Sequence, residues 1–453
     1  MTIRENELQG VRSQGVPIQN PGLSYWQRTT RAFSLLNINR NSPVPPACSH
    51  VIIGSGLSGS LTAFELVEGG VRGEDIVILE AREAAGGASS RNAGHVRPDA
   101  FRGFTAYSNV HGADQAVKIL ENERLVLQRI TDFVSRHNVQ CDLHPTTTFE
   151  VCMTPEFAAY AAASVQACKE AGVDVSHVQF YEREEARAKT RVKNAVAAYE
   201  WPAASSHPAK LAQWLIRDVV SKGVRLFTHC PVTKVQKATS SESTQTASLQ
   251  QEASTRQLWN VFTPRGSVTT PTVIHCTNAY ASFLLPHLAP HVTPNRAQAH
   301  SLVATPAFSA EHTLASTYSL RYSLHHYYSL IQRQGDGTMI LGVSRSNPSL
   351  SPETQATTVS LDDSYFNKEI LEDGLRQLRV LFPEFDGDGG VHGEGLEHAW
   401  NGIIAMTADS VPFVGAIESL PGQYVCAGFN GHGEWSPDTR MNSSKLWLSV
   451  ALP

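Results

Sequence analysis

From Ser49 the chain changes from scattered polar residues to regular apolar patterning. The run HVII is continuous and β-branched, the turn GSGLSG follows, and Leu61, Phe64, Leu66 and Val67 then recur at helical spacing. A second apolar run, IVILEA, begins at Ile76. Strand, glycine turn, helix and strand in this order predict a unit that opens a parallel sheet. Residues 113 to 200 read as mainly helical, most clearly over Glu121 to Val134 and Pro155 to Ala171. A helix is expected after Pro208 (AKLAQWLIRDVVSKG), ending at Gly223, and VRLFTHCPVTKVQ then reads as a strand pair interrupted at Pro231. WNVFTPRGSVTT and TVIHCTNAY read as strand, turn and strand. Tyr318 to Val343 reads as antiparallel strands turned at Gly335-Asp336-Gly337, and Leu371 to Leu381 as a helix stopped by Pro383.

Two stretches lack such patterning. Residues 1 to 47 are polar, with Tyr25, Trp26 and Phe33 as their large anchors, and are expected to lie as an arm over a domain. Residues 238 to 257 (ATSSESTQTASLQQEASTRQ) are rich in Ser, Thr and Gln and are expected to form a flexible loop between two strands. At 453 residues, 41% hydrophobic and 17% charged, the chain is longer than one core usually supports, so two domains are expected. A net charge of −5 with both signs interspersed offers no basic stripe for nucleic acid. The seven cysteines are scattered and form no CxxC pair, which fits a reducing compartment. The first residues lack an apolar signal core and no run of about 18 apolar residues occurs. The expectation is a soluble cytoplasmic protein with neither nucleic-acid nor membrane partner.

Gly54, Gly56 and Gly59 form GxGxxG directly between a strand and a helix, where the glycines admit a pyrophosphate to the backbone and the helix start offers N–H groups to it. Glu80, ending the second strand, stands where a carboxylate accepts hydrogen bonds from ribose hydroxyls. An ordinary glycine turn with a surface Glu is the bland alternative, and the strand and helix context weighs against it. In nicotinamide enzymes the second strand usually feeds straight into another helix. Here it feeds into GGASSRNAGHV, bare backbone that suits a bulky flat cofactor threaded deep into the protein.

The series GSGLSG, LEAREAAGGASSRNAGHV, SSHPAKL, THCPV, TNAY, MTADSVPFVG and GFNGHGEWSP resembles the FAD-dependent oxidoreductases of the D-amino-acid oxidase, glycine oxidase and sarcosine oxidase superfamily, nearest the gamma-glutamylputrescine oxidase-like branch. The resemblance covers most of the chain from about residue 18, where PIQNPGLSYW is similar to the start of eukaryotic members. It implies an α/β fold in which a Rossmann-like FAD-binding domain (residues 48–112, 205–285 and 396–453) is interleaved with a substrate domain built on an antiparallel sheet with helices (113–204 and 286–395). It also implies site residues. Gly54, Ser55, Gly56, Leu57, Ser58, Gly59, Glu80, Ala81 and Arg82 would hold adenosine and pyrophosphate. Gly87, Ala88, Ser89, Ser90, Arg91, Asn92 and Ala93 would run along the phosphates and ribityl chain, with Gly94, His95 and Val96 reaching the ring. Val232 would hold the adenine through its backbone, while Asn278, Ala279, Gly428, Asn430, Gly431, His432, Gly433 and Glu434 match further cofactor loops. Gly402 and Arg91 stand where relatives carry the Cys or His that attaches FAD, so FAD is expected to be non-covalent. Ile340 aligns with a lysine that activates oxygen in sarcosine oxidases, which leaves oxygen or another electron acceptor open.

The implied reaction is oxidation of a carbon–nitrogen bond of an amine or amino acid, by hydride transfer to flavin. The same residues leave open a dehydrogenase serving a carrier, or a protein that uses FAD structurally. Candidates near the chemistry are His95, Trp400 and His432, with Tyr327, Tyr328 and Arg333 from YYSLIQR. Arg333 would grip a substrate carboxylate through two hydrogen bonds or else make a surface ion pair. Alternation along the strand sends Tyr327 and Tyr328 to opposite faces, so one of them is packing. His325 and His326 lack further ligands for a metal, and no GxSxG elbow is present.

Overall fold

The computed structural model describes residues 15–238, 257–343, 346–385 and 393–431. The unit expected at Ser49 forms the middle of a six-stranded sheet. Its order is Phe413–Ala416, Gln423–Ala427, Thr272–His275, His50–Ile53, Ile76–Leu79 and Arg225–Phe227. The last five strands are parallel and the first is an antiparallel edge. All four residues of His50–Ile53 and of Ile76–Leu79 are buried, because helices cover one face of the sheet and Trp259, Val261 and Val268 pack on the other, against Val51, Ile53, Val77 and Leu79. The helices Leu57–Glu68 and Pro208–Ser221 supply that cover, packing Leu66, Leu215 and Ile216 against Ile52 and Ile78. Pro at the first turn of Pro208–Ser221 and the His207 side chain, which accepts from Lys210 N, fix where that helix starts.

The second sheet has nine strands, in the order Gly395–Thr407, Val292–Val303, Met339–Val343, Tyr327–Gln332, Thr317–Arg321, His144–Cys152, Ala197–Ser205 and His95–Val96, with Gln179–Glu182 also paired to Ala197–Ser205. It is antiparallel except where Thr317–Arg321 meets His144–Cys152. The two strands His144–Cys152 and Ala197–Ser205 correct the mainly helical reading of residues 113 to 200. The alanines of Ala197–Ser205 and the continuous burial of the second half of His144–Cys152 leave no clean alternation to read. The helices expected in this stretch are present as Ala113–Arg136 and Pro155–Glu170, and Lys368–Leu381 begins three residues before the expected Leu371, capped by Asn367. A three-stranded antiparallel sheet pairs Lys234–Lys237, Trp259–Thr263 and Gly266–Thr270. Most of the Ser/Thr/Gln-rich loop between its first two strands falls outside the described residues. Among the described residues no helix is long and apolar enough to cross a membrane.

The polar arm is held down by the anchors expected of it. Trp26 is fully buried against Ile331, Ile340 and Trp400, and its indole N–H donates to Asn92 O at 2.7 Å. Ser24 Oγ donates to Ser90 O at 2.5 Å, so the arm grips the glycine- and serine-rich loop from outside. Removing the indole with Trp26→Ala is expected to cost about 3–5 kcal/mol in urea unfolding and to open the arm to protease.

Three histidines, His207, His275 and His300, are buried to 1% exposure or less, and burial pushes their pKa values down to about 3, 4 and 3. Each is neutral when folded and takes up a proton near pH 6.5 when unfolded, so their contribution is complete above about pH 6.5 and is lost as the pH falls toward 4. The loss is about 1.4 kcal/mol per histidine per pH unit. Glu123, whose carboxyl is raised by burial and then by Asp99, works in the opposite sense as one group against three. Unfolding free energy is expected to fall between pH 7 and 5, measured by urea titration at each pH.

Candidate active site

Contact decides the glycine turn. A Cβ on Gly59 would lie 1.9 Å from Gly54 O, and one on Gly54, whose φ is +106°, would lie 2.5 Å from Cys276 O. Glycine at these positions lets the helix Leu57–Glu68 start directly beneath the end of His50–Ile53. That start faces the crevice between His50–Ile53 and Thr272–His275, where the strand order turns back on itself. Glu80 Oε2 accepts from Ser55 N at 2.9 Å and Ser55 Oγ at 2.8 Å, and Oε1 accepts from Arg82 N at 2.9 Å. A carboxylate has roughly four acceptor positions, so one on Oε1 is left for a ligand hydroxyl. Ser89 Oγ accepts from Leu57 N at 2.8 Å and so stitches the second loop to the first.

A continuous cavity of about 390 Å³ runs from this crevice to the nine-stranded sheet. Of the sequence-predicted cofactor residues, Gly54, Gly56, Ser58, Glu80, Ala81, Arg82, Gly87, Ala88, Ser89, Arg91, Asn92, Ala93, His95, Val232, Asn278, Ala279, Asn430 and Gly431 line it. Ser55, Leu57, Gly59, Ser90, Gly94, Val96 and Gly428 stand behind that wall. Gly94 is held there by close packing, since a Cβ on it would meet Trp26 at 2.8 Å and Ser206 O at 2.9 Å. Asn278 Oδ1 accepts from Gly428 N at 3.1 Å and joins two of the predicted loops. His432, Gly433 and Glu434 lie outside the described residues.

At the far end of the cavity His95 and Tyr327 line the wall as expected. Tyr328 points the other way, fully buried, and donates to Asp373 at 2.5 Å. Among the described residues neither buried His95 ring nitrogen has a partner, and burial followed by the nearby Arg97 charge pushes its pKa down to about 3. Two candidates are placed elsewhere. Arg333 is paired with Asp142 at 3.0 Å and Asp336 at 2.9 Å and lies over the rings of Tyr25 and Trp26, off the cavity wall. Its position just past the end of Tyr327–Gln332 is the reason: six residues along a strand is about 20 Å from Tyr327. Trp400 is buried behind the wall, donating its indole N–H to Arg91 O at 2.9 Å. Ile340 is likewise in the core, packed with Trp26 and Ile331.

Sequence reasoning passed over the arginines that do reach this end. Arg97, Arg102 and Arg321 line the cavity and converge on one buried carboxylate, Glu150. Arg321 Nε lies 2.8 Å from Glu150 Oε1, Arg102 Nη1 lies 3.5 Å from Oε2, and Arg97 makes a short contact to the same oxygen. Arg102 also pairs with Asp99 at 2.8 Å, and the Arg321 guanidinium lies 3.9 Å over the Tyr327 ring. Burial would raise the Glu150 carboxyl, but Arg321, Arg102 and Arg97 outweigh it and hold the pKa down at about 2. Burial lowers the Arg97 pKa to about 10, still charged at neutral pH. Among the described residues, three guanidiniums thus contact two carboxylates at the cavity end, Glu150 and Asp99, while the Glu123 carboxyl beside Asp99 is raised by burial and then by Asp99.

A family model described as FAD dependent oxidoreductase matches residues 49–434. The chain belongs to this family of FAD-dependent oxidoreductases. It is 22% identical over 430 residues to a probable oxidoreductase OrdL of Haemophilus influenzae (90% of this chain, 85% of that one) and 23% identical over 401 residues to gamma-glutamylputrescine oxidoreductase of Escherichia coli (85% and 80%). Among solved structures, glycine oxidase from Geobacillus kaustophilus superposes with a TM-score of 0.66 at 18% identity, covering 90% of this chain and 95% of its own. L-Proline dehydrogenase from P. horikoshii superposes with 0.64 at 18% identity, over 90% and 94%. The fold is therefore the two-domain α/β fold of such flavoenzymes, and the enzyme is one of a family acting on amines and amino acids.

The residues present fit the FAD that this family uses. The glycine cradle has no room for a single added carbon, the Glu80 carboxylate keeps one acceptor position, and Thr277 Oγ1 on the cavity wall is buried with no partner among the described residues. The oxidoreductase with Gly59→Ala is expected to purify without the flavin absorbance band, because the added methyl would displace the helix start. Recovery of the wild-type flavin content in that variant would contradict the cradle.

Proposed function

We propose that the enzyme oxidises the carbon–nitrogen bond of an amino acid, or of a secondary amine that bears a carboxylate. The three guanidiniums that line the cavity end, those of Arg97, Arg102 and Arg321, carry this reading. FAD, when bound, supplies the hydride acceptor for the carbon next to nitrogen, and water hydrolyses the resulting imine. On this reading the six-stranded half and the loop Gly87–His95 hold the cofactor, and the nine-stranded sheet supplies the substrate wall.

Arg321 holds the substrate carboxylate, its planar fork kept in one orientation by the Tyr327 ring beneath it and by its donation to Leu324 O at 2.7 Å. Arg97 and Arg102 add field without needing to touch the substrate. His95 is neutral and so weakly basic that it does not take the ammonium proton. It offers one donor and one acceptor beside the reacting atoms, and the amine has to arrive unprotonated or lose its proton to water. Gly402 lines the cavity against Arg91, with a Cβ on it falling 3.1 Å from Arg91 Cβ, so neither position offers a thiol or imidazole to attach FAD. With FAD bound, oxygen, giving hydrogen peroxide, or another acceptor would take up the two electrons removed from the substrate.

Anaerobic addition of amines and amino acids, with the flavin absorbance followed, tests the assignment. Carboxylate-bearing amines are expected to bleach the band, and recovery in air separates an oxidase from a dehydrogenase. A flavin that no compound of this class reduces would remove the reading. Arg321→Met is expected to lower kcat/KM for a carboxylate substrate about 10- to 100-fold. Its effect on the corresponding amine without the carboxylate should be small, and an equal loss on both would show that Arg321 does not read the carboxylate.

A further inference from the structure

Arg82 and Arg91 both line the cofactor cavity, yet they spend most of their donors on protein. Arg82 Nη1 and Nη2 donate to Asp363 Oδ2 and Oδ1 at 2.8 and 2.9 Å, its Nε donates to Ile18 O at 2.8 Å, and Nη2 lies 3.5 Å from Tyr280 Oη. Arg91 donates to Gly86 O, Asn401 O and Gly22 O, with its Nε also 3.5 Å from Asp363. Asp363 is 2% exposed and Arg82 4%, so this pair is shielded from water and from salt.

Asp363 lines the same cavity. It sits in the loop between the helices Pro352–Ala356 and Lys368–Leu381. Arg296 pulls that loop in from below, through N to Thr358 O at 2.7 Å and Nη1 to Asp362 O at 3.4 Å. Gly22 of the arm lies against Ser364 O. A donor inventory of five N–H groups leaves Arg82 little to offer a phosphate directly.

We propose that Asp363 is a latch, a positioning residue that closes residues 358–367 and the arm over the cofactor cleft, and that FAD enters and leaves when this latch opens. The proposal rests on FAD as the cofactor and goes beyond the substrate reading. Breaking a buried, hydrogen-bonded charge pair acts mainly on the rate of escape. In the holoenzyme, Asp363→Asn is expected to raise the FAD dissociation rate about tenfold or more, followed by the return of free-flavin fluorescence on dilution. Hydrogen exchange in residues 358–367 and 15–23 should rise together. Arg82→Gln should do the same, and the double variant should release FAD no faster than the faster single one, since both break one latch.

An unchanged rate would overturn the proposal. So would a slower one, which would mean that the freed guanidiniums grip the phosphates. If neither variant folds, the wild-type protein decides: exchange of 358–367 and 15–23 that rises together on removing FAD supports the latch, and exchange that stays the same overturns it. A wild-type protein that binds no flavin would instead remove the cofactor assignment.

Discussion

A guanidinium keeps its charge when buried, so each one inside a protein has to be answered by a carboxylate, a carbonyl or a ligand. Much of this molecule is arranged around that requirement. At one end of the cavity Arg82 and Arg91 are answered by Asp363 and by main-chain carbonyls of the arm and of the long edge strand Gly395–Thr407. At the other end Arg97, Arg102 and Arg321 share Glu150 and Asp99, with Arg321 also donating to Leu324 O. The first set braces the cradle, and the second lines the far end of the cavity. The bare loop from Gly87 to His95 connects the two.

The cradle was legible because its chemistry is local. Gly54, Gly56, Gly59 and Glu80 lie within one strand–helix–strand unit, where spacing alone implies contact. The anchors Trp26 and Tyr25 were legible for a related reason: large apolar residues in a polar stretch have to be buried somewhere. The alternation of Tyr327 and Tyr328 also followed from the strand period. What the resemblance implied for fold and cofactor agrees with the family match over residues 49–434.

The arginine cluster was not legible. Arg97, Glu150 and Arg321 come from segments that only the sheet order brings together, through pairing of Thr317–Arg321 with His144–Cys152. Strand His144–Cys152 was itself hidden inside a region read as helical, so the carboxylate that gathers the arginines had no assigned place. Arg333 drew attention because it shares a strand with Tyr327. Distance along the strand carried it past the cavity. Asp363 lies in a loop with neither apolar period nor glycine turn, and nothing in such a segment announces a contact with Arg82.

The order of the parallel sheet bears on how the chain comes off the ribosome. The strand Thr272–His275 pairs on one side with His50–Ile53, which is already made, and on the other with Gln423–Ala427, which is not. His275 and Gln423 are 148 residues apart in the chain, yet they share a hydrogen bond in the finished sheet. At roughly 5–20 residues per second, synthesis leaves that strand edge open for something like 7 to 30 seconds. For that interval the nascent protein carries an apolar, unpaired β-edge of the kind that invites pairing with another chain. The interleaving that places both sheets around one cavity therefore makes the nascent chain a natural client for whatever shields such edges during translation.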